Sequence, residues 1–229
     1  MPAKITGISS MATREVLADL APAFEQRWGC PVVFESVGGV DAARRVASGE
    51  PFDVVVLASE AIDKLIGAGH IVAGSKVELA RSGVAVAVRS GAPRPAIGSE
   101  ESVRRAVLSS RSIGYSTGPS GVALAGLFER WGIAAKIKER IVQAPPGVPV
   151  GALVARGEVE LGFQQLSELM HLGGIDVIGP LPPAIQIITT FSSGICASST
   201  QGDAAHRLLD FLTSPSAAEA KRRHGMEPV

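Results

Sequence analysis

The chain has 229 residues, of which 46% are hydrophobic and 19% are charged, which excludes a disordered protein and allows one large or two smaller domains with hydrophobic cores. Its 22 Lys and Arg residues balance 22 Asp and Glu residues, so no overall charge attracts it to nucleic acid or to an anionic membrane. Only 4% of residues are aromatic, so a base-stacking platform for single-stranded nucleic acid is not expected.

Apolar runs of strand length alternate with helix-period segments through the first third of the chain. The predicted strands are residues 4–8, 32–34 and 53–57, and the predicted helices are residues 13–28, 40–48 and 60–67. Pro22 is expected to kink the first helix or to mark a frayed first half, and Ser59 is expected to cap the third. This alternation is typical of a parallel sheet with helices on both faces.

The same alternation continues beyond the apolar run 84–88. It predicts helices at 100–109, 121–131, 148–156 and 165–172, strands at 113–116, 141–142, 161–163, 176–178 and 185–191, and tail helices at 203–212 and 214–224. Small residues near Gly83 and at 192–194 predict two crossover segments between lobes. We therefore expect a doubly wound α/β fold with mostly parallel sheets. The first lobe is residues 1–83 plus 192–229, and the second is residues 84–191.

The N-terminal residues bear on where the protein resides. Residues 1–7 (MPAKITG) pass directly into a strand-like run and lack the basic region, apolar core and cleavage site of a signal peptide. We therefore expect the chain as given in the cytoplasm, or in the periplasm if it is the trimmed mature form of an exported protein. No apolar run approaches the roughly 20 residues that a membrane-spanning helix needs, so membrane insertion is not expected.

Signature motifs of common enzyme classes are absent from the sequence. It contains no nucleophile elbow, Walker A motif, dinucleotide-binding glycine motif or zinc-protease motif. The four histidines are far apart in sequence, and none has a carboxylate or cysteine at metal-ligand spacing. Two cysteines, Cys30 and Cys196, are too few for a zinc knuckle or a disulfide framework. Neither a metal nor another cofactor is expected.

One arrangement recurs in both lobes: a strand, a short turn rich in Ser, Thr or Gly, and then a helix. The residues concerned are Ser9 and Ser10, Gly38 and Gly39, Ser59, and Ser116, Thr117, Ser120 and Gly121. Such turns lie at the carboxyl edge of a doubly wound sheet and offer hydroxyl and helix N–H donors to an anion. Any one of them could be an ordinary helix cap. Four of them in two lobes predict a cleft with convergent donors for a small anion.

Two further features suit the same site. Gln164 and Gln165 place two amides at another strand-to-helix junction, although Gln165 could simply face water in the first helical turn. Arg81 lies near the predicted crossover, where its guanidinium could hold a carboxylate with two hydrogen bonds. The alternative for Arg81 is an ordinary surface arginine.

The sequence resembles the molybdate-binding-protein-like branch of the type II periplasmic binding proteins. The residues that carry the resemblance are 8–10 (ISS), 52–59 (FDVVVLAS) and 208–215 (LLDFLTSP), and the likeness extends from Lys4 to Val229. It implies two α/β lobes, joined by a hinge of two crossover segments, that close on a small ligand. For an exported member it also implies an ABC permease as partner.

The sequence departs from the molybdate transporters of this branch. They typically have a serine where this chain has Gly38 and Gly39, and a tyrosine in the stretch that corresponds to residues 163–165 (FQQ). The segments 115–121, 162–169 and 179–182 instead resemble a subgroup similar to aconitate isomerase. That resemblance implies a double-bond shift in a tricarboxylate without a cofactor.

The sequence is therefore compatible with three functions. The first is a binding protein for a small anion, preferably a di- or tricarboxylate. The second is a cofactor-independent isomerase that interconverts cis- and trans-aconitate by a 1,3-proton shift. The third is the molybdate- or oxyanion-binding component of an ABC transporter. An isomerase needs a proton-transfer group, for which Ser9, Ser10, Ser120 and Glu168 are the options nearest to the predicted turns.

Overall fold

A computed structural model describes residues 4–229. Within that range the chain forms ten strands and ten α-helices. The strands are β1 (Ile5–Ser10), β2 (Val32–Val37), β3 (Val54–Ala58), β4 (Val77–Arg89), β5 (Ile113–Tyr115), β6 (Ile141–Gln143), β7 (Leu161–Gln165), β8 (Ile175–Pro180), β9 (Ile188–Ile195) and β10 (Glu227–Pro228). The helices are α1 (Arg14–Trp28), α2 (Gly39–Ala47), α3 (Ser59–Gly67), α4 (Glu100–Ser109), α5 (Pro119–Arg130), α6 (Ala134–Ile137), α7 (Val150–Ala155), α8 (Leu166–Leu169), α9 (Gly202–Thr213) and α10 (Ala218–Arg223).

The chain divides into two compact units. Unit 1 contains the residues up to Ser82 together with Thr190–Val229, and unit 2 is Gly83–Thr189. The chain passes from one unit to the other inside two strands, β4 and β9. None of the helices in residues 4–229 is both long and apolar enough to cross a bilayer.

The sheet of unit 1 is built around β1. This strand pairs in parallel with β2 on one side and β3 on the other, and β9 runs antiparallel to β3. Alternate residues of β3 enter different cores: Val54 and Val56 pack with α1 and α9, whereas Val55 and Leu57 pack with α2 and α3. Both faces of β3 are therefore buried, which explains why its sequence is continuously apolar.

The sheet of unit 2 is built around β5 and the second half of β4. β5 pairs in parallel with β6 and β7, and β4 is antiparallel to β7 and β8. Val86, Phe128 and Phe163 lie in the main core, and a smaller core on α7 includes Val150 and Val154. The sheets of both units are thus mixed, with parallel pairs formed by the strands that alternate with helices.

Several local expectations are corrected by the structure. α1 is helical from Arg14 to Trp28 with Pro22 inside it, so its first half is not frayed, and its apolar face packs in the core of unit 1 on both sides of the proline. The small-residue segment 192–194, predicted as a crossover between lobes, lies inside β9 and pairs with β3, and the division between the units falls just before it, between Thr189 and Thr190. The helix expected at 165–172 is the single turn α8, Leu166–Leu169, and Ser59 is the first residue of α3 rather than its cap.

Candidate ligand-binding site

The predicted polar turns of unit 1 meet at the end of β1. Ser9 and Ser10 are the last two residues of this strand, and Ser9 lies opposite Ser36 on β2. Gly38 precedes α2 and Gly39 begins it. A β-carbon on Gly39 would lie 3.6 Å from the β-carbon of Ser10, so the start of α2 sits directly beside the end of β1.

The two serines at the end of β1 differ in their hydrogen bonding. The hydroxyl of Ser9 forms a 2.8 Å hydrogen bond with the hydroxyl of Ser36. The hydroxyl of Ser10 is buried and has no hydrogen-bond partner. A buried hydroxyl without a partner costs about 1–3 kcal/mol relative to its hydrated state, so Ser10 offers a donor that a bound anion would satisfy.

Two predicted site residues of unit 1 have other surroundings. The hydroxyl of Ser59 forms a hydrogen bond with the hydroxyl of Ser192 on β9. Arg81 is an exposed residue of β4, and its backbone lies opposite Glu227 of β10. No hydrogen bond or ion pair connects the Arg81 side chain to Ser9, Ser10 or Gly39, among the residues that the structure describes.

In unit 2, the turn from Ser116 to Gly121 connects β5 to α5. Ser116 and Thr117 follow β5, and Ser120 and Gly121 lie in the first turn of α5. A β-carbon on Gly121 would lie 1.8 Å from the carbonyl oxygen of Ser116. The turn therefore packs so tightly against the helix that only glycine fits at position 121.

Gln164 and Gln165 end β7, and both side chains are buried. The Oε1 atom of Gln164 accepts a hydrogen bond from the Gly151 N–H at 3.2 Å, and its Nε2 atom donates to Glu168 at 2.8 Å. Gln165 donates from Nε2 to the Thr189 hydroxyl at 2.7 Å. Its Oε1 atom is buried without a partner, as is the Ser10 hydroxyl, and these are the two such side-chain atoms in the described part of the chain.

The orientation of the Gln165 amide decides what this residue offers to a ligand. The Thr189 hydroxyl can donate as well as accept. If the amide were turned by 180°, Oε1 would accept from Thr189 and Nε2 would occupy the position without a partner. Gln165 can therefore present a donor to a carboxylate or an acceptor to a protonated acid.

Of the four candidate proton-transfer residues, Glu168 in α8 is the one whose side chain both accepts a hydrogen bond from a predicted site residue, Gln164, and has a raised pKa. Burial raises the pKa of its carboxyl group to about 7, and the hydrogen bond from Gln164 acts in the opposite direction. A carboxyl group with this pKa exchanges a proton readily near neutral pH. The hydroxyls of Ser9, Ser10 and Ser120 show no such feature.

The structure thus forms two groups of predicted residues: Ser9, Ser10, Gly38 and Gly39 in unit 1, and Ser116–Gly121 with Gln164 and Gln165 in unit 2. That these groups line one cleft stays a prediction. Sequence analysis missed their hydrogen-bond partners Ser36, Gly151, Thr189 and Ser192, because no motif marks a contact between distant segments. Within residues 4–229 no three His, Cys, Asp or Glu side chains are placed to hold a metal ion.

Comparison with known proteins places this geometry in a family. Residues 5–227 match the family model described as bacterial extracellular solute-binding protein. The chain is 38% identical over 233 aligned positions to an aconitate isomerase of Pseudomonas sp., covering 98% of this chain and 88% of that protein. It is 26% identical to the molybdate-binding protein ModA of Azotobacter vinelandii, covering 91% of this chain and 84% of that protein.

The solved structures agree with the fold predicted from the sequence. The periplasmic molybdate-binding protein of Azotobacter vinelandii superimposes with a TM-score of 0.80 at 23% identity, covering 97% of this chain and 98% of that one. This likeness confirms the predicted α/β fold class. The chain belongs to the bacterial extracellular solute-binding proteins, in their molybdate-binding-protein-like, type II branch.

Proposed function

We propose that this protein binds an aconitate-type tricarboxylate and isomerises it by a 1,3-proton shift. The observation that carries the proposal is the pair of buried polar atoms without partners, the Ser10 hydroxyl and the Gln165 amide oxygen. Each lies where a strand ends and a helix follows, which is where α/β folds bind small ligands. A ligand group that hydrogen-bonds to either atom removes a cost of about 1–3 kcal/mol at that atom.

The chemistry of unit 2 favours a carboxylate over a tetrahedral oxyanion. A tetrahedral dianion needs a compact cage of donors, whereas here a carboxyl group, Glu168, lies beside the two amides and has no basic side chain paired with it among the described residues. An ionised Glu168 would repel either kind of anion, so the preference depends on the hydrogen bond that its protonated form donates. With a pKa of about 7, Glu168 is partly protonated at neutral pH and can then donate a hydrogen bond to a carboxylate.

Unit 1 supports the same preference through its glycines. Gly38 and Gly39 carry no hydroxyl, and the nearest side chains to a β-carbon at Gly39 would lie at 3.6 and 3.9 Å. These are ordinary van der Waals distances, so what the two glycines contribute to the preference is the absence of the hydroxyl donors that a four-oxygen anion needs. The 38% identity to an aconitate isomerase, against 26% to a molybdate-binding protein, also supports a tricarboxylate ligand.

A second candidate is oxyanion binding for transport, with an ABC permease as the partner of an exported protein. The Ser10 donor and the N-terminus of α5 would suit molybdate or sulfate. The likeness in fold to a molybdate-binding protein supports this alternative, but the absence of hydroxyl donors at Gly38 and Gly39 weakens it.

A panel of ligands separates the two candidates. The Tm and the heat of binding are measured with six ligands: molybdate, sulfate, phosphate, citrate, cis-aconitate and trans-aconitate. A ligand present at 100 times its Kd adds about 2.7 kcal/mol to the free energy of unfolding, so a specific ligand gives a clear increase in Tm. Stabilisation by the aconitates supports the proposal, whereas submicromolar molybdate binding with no heat from any di- or tricarboxylate would contradict it.

A further inference from the structure

The carboxyl group of Glu168 is held in a defined position by the end of β7. Gln164 donates from Nε2 to one carboxyl oxygen of Glu168 at 2.8 Å. Gln164 is itself fixed, because its Oε1 atom accepts from the Gly151 N–H of α7. Glu168 as a residue is partly exposed, whereas Gln164 and Gln165 are buried, and burial of the Glu168 carboxyl group raises its pKa, so this group is anchored in a largely dry position.

The elements packed against α8 leave Glu168 without a charged neighbour. α7 and β7 contain no ionisable side chain. In unit 2, the ionisable residues of β4 and β8 are Arg89 and Asp176. Arg89 is five positions beyond Val84, which pairs with Gln165, and Asp176 pairs with Val88, four positions beyond Val84. Asp176 accepts a hydrogen bond from the Ser90 hydroxyl and lies beside Arg94, and burial and the Gln164 hydrogen bond are the two influences on the pKa of Glu168. On the chain segment after α8, His171 is exposed.

These contacts point to a role for Glu168 that goes beyond binding. We propose that Glu168 is the catalytic residue that takes a proton from the methylene carbon of the bound tricarboxylate and returns it to the other end of the double bond. Gln164 is the positioning residue that holds the Glu168 carboxylate. This inference rests on the proposed isomerase function.

The proton shift balances without any other reactant. The Glu168 carboxylate accepts a proton as the methylene C–H bond breaks, and the electron pair spreads over three carbons as an allylic carbanion. The protonated Glu168 exchanges its proton with solvent and then donates a proton to the far carbon, where a C–H bond forms. The double bond has moved by one carbon, and Glu168 is again a carboxylate.

The environment of Glu168 suits both halves of this cycle. A base must be ionised to accept the proton and must release it again easily, so a pKa close to the working pH is favourable. Burial raises the pKa of Glu168 to about 7. The Gln164 hydrogen bond stabilises the ionised form and fixes the direction of the carboxylate.

The first test compares Glu168→Gln with the matched surface variant Glu158→Gln. Glu158 is exposed and forms an ion pair with Arg156. Conversion of cis- to trans-aconitate is measured by absorbance, aconitate binding by calorimetry, and exchange of the methylene protons by NMR in D2O. We expect E168Q to bind aconitate within about threefold of the unchanged protein but to lose at least 100-fold in turnover and in proton exchange. E158Q is expected to keep the turnover, the aconitate affinity and the proton exchange of the unchanged protein.

The outcomes separate this inference from the proposed function. Turnover retained by a folded E168Q protein would overturn the role of Glu168 and leave the isomerase function standing. If the unchanged protein binds aconitate but does not convert it, the isomerase function itself fails.

A second measurement does not depend on E168Q folding. The kcat of the unchanged protein is expected to fall below about pH 7, because protonated Glu168 cannot act as the base. Gln164→Met removes the hydrogen bond that stabilises the ionised carboxylate, so the pH at which kcat falls should move upward. A pH-independent kcat between pH 5 and 9 would overturn the proposal.

Discussion

Gln165 donates a hydrogen bond from its side-chain amide to the hydroxyl of Thr189, at 2.7 Å. The two residues are 24 positions apart, and the bond connects the end of β7 to the beginning of β9. It holds the Gln165 amide in one plane while the other amide atom stays buried without a partner. Thr189 therefore acts as the support for a group that we expect to contact the ligand.

Replacing Thr189 tests this support. Thr189→Val keeps the shape of the side chain and removes the hydroxyl, so the Gln165 amide loses its anchor. We expect aconitate affinity to fall about 5- to 30-fold, which corresponds to roughly 1–2 kcal/mol. Thr189→Ser keeps the hydroxyl and is expected to bind normally. Equal affinities of the Val and Ser variants in calorimetry would exclude this role of Thr189.

Ser10 and Ser9 offer a matched pair of variants. Ser10→Ala removes a buried hydroxyl that has no partner in the free protein, so the free energy of unfolding should stay the same or increase slightly. Aconitate affinity should nevertheless fall by roughly 1–3 kcal/mol. Ser9→Ala breaks the hydrogen bond to Ser36 and is expected to lower stability by about 1 kcal/mol with a smaller effect on affinity. Denaturant unfolding and calorimetry measure both quantities, and the opposite ranking would contradict the assignment.

The contrast between these serines shows what sequence could and could not predict. The run Val54–Ala58 was predictable as a buried strand because it is continuously apolar, and the Ser- and Gly-containing turns were predictable as strand ends. The sequence could not show that the Ser10 hydroxyl has no hydrogen-bond partner whereas the Ser9 hydroxyl has one. Ser9 meets Ser36 only through the β1–β2 register, and Ser59 meets Ser192 across 133 residues.

Tertiary packing explains the errors in predicted elements as well. Pro22 was expected to kink α1 or to leave its first half frayed, yet that half is helical because Leu17 and Leu20 are held in the core. Residues 192–194 were predicted as a crossover segment from their small side chains, and their pairing with β3 makes them part of a buried strand. In both places long-range contacts outweigh the local preference of the sequence.

The turn before α5 is expected to be intolerant of any side chain at Gly121. Gly121→Ala places a β-carbon 1.8 Å from the Ser116 carbonyl oxygen, so the turn must move and stability should fall by roughly 3 kcal/mol or more. Gly126→Ala in the same helix meets no atom within 4 Å and should stabilise the protein by about 0.5–1 kcal/mol. Thermal unfolding of the two variants tests the difference, and a G121A protein as stable as G126A would refute the described turn.

Lys221 provides a prediction about pH and stability. Its side chain is buried beside Val16, Leu17 and Met226, and burial lowers the pKa of its amine below the usual 10.5. The charged amine therefore costs stability at every pH below its pKa in the folded protein, and this cost disappears as the pH rises towards 10.5. Lys221→Met should raise the free energy of unfolding at pH 7 by roughly 1–3 kcal/mol. Its advantage over the unchanged protein should shrink as the pH rises towards 10.5, and a constant advantage would contradict this account.

The most direct test of the central claim is the NMR spectrum of aconitate incubated with the protein. Two samples start from pure cis-aconitate and pure trans-aconitate, without any added metal or cofactor. The account predicts that both samples converge on the same ratio of the two isomers, and that in D2O the methylene protons are replaced by deuterium only when the protein is present. Spectra that stay unchanged at a protein concentration sufficient to bind the ligand would contradict it.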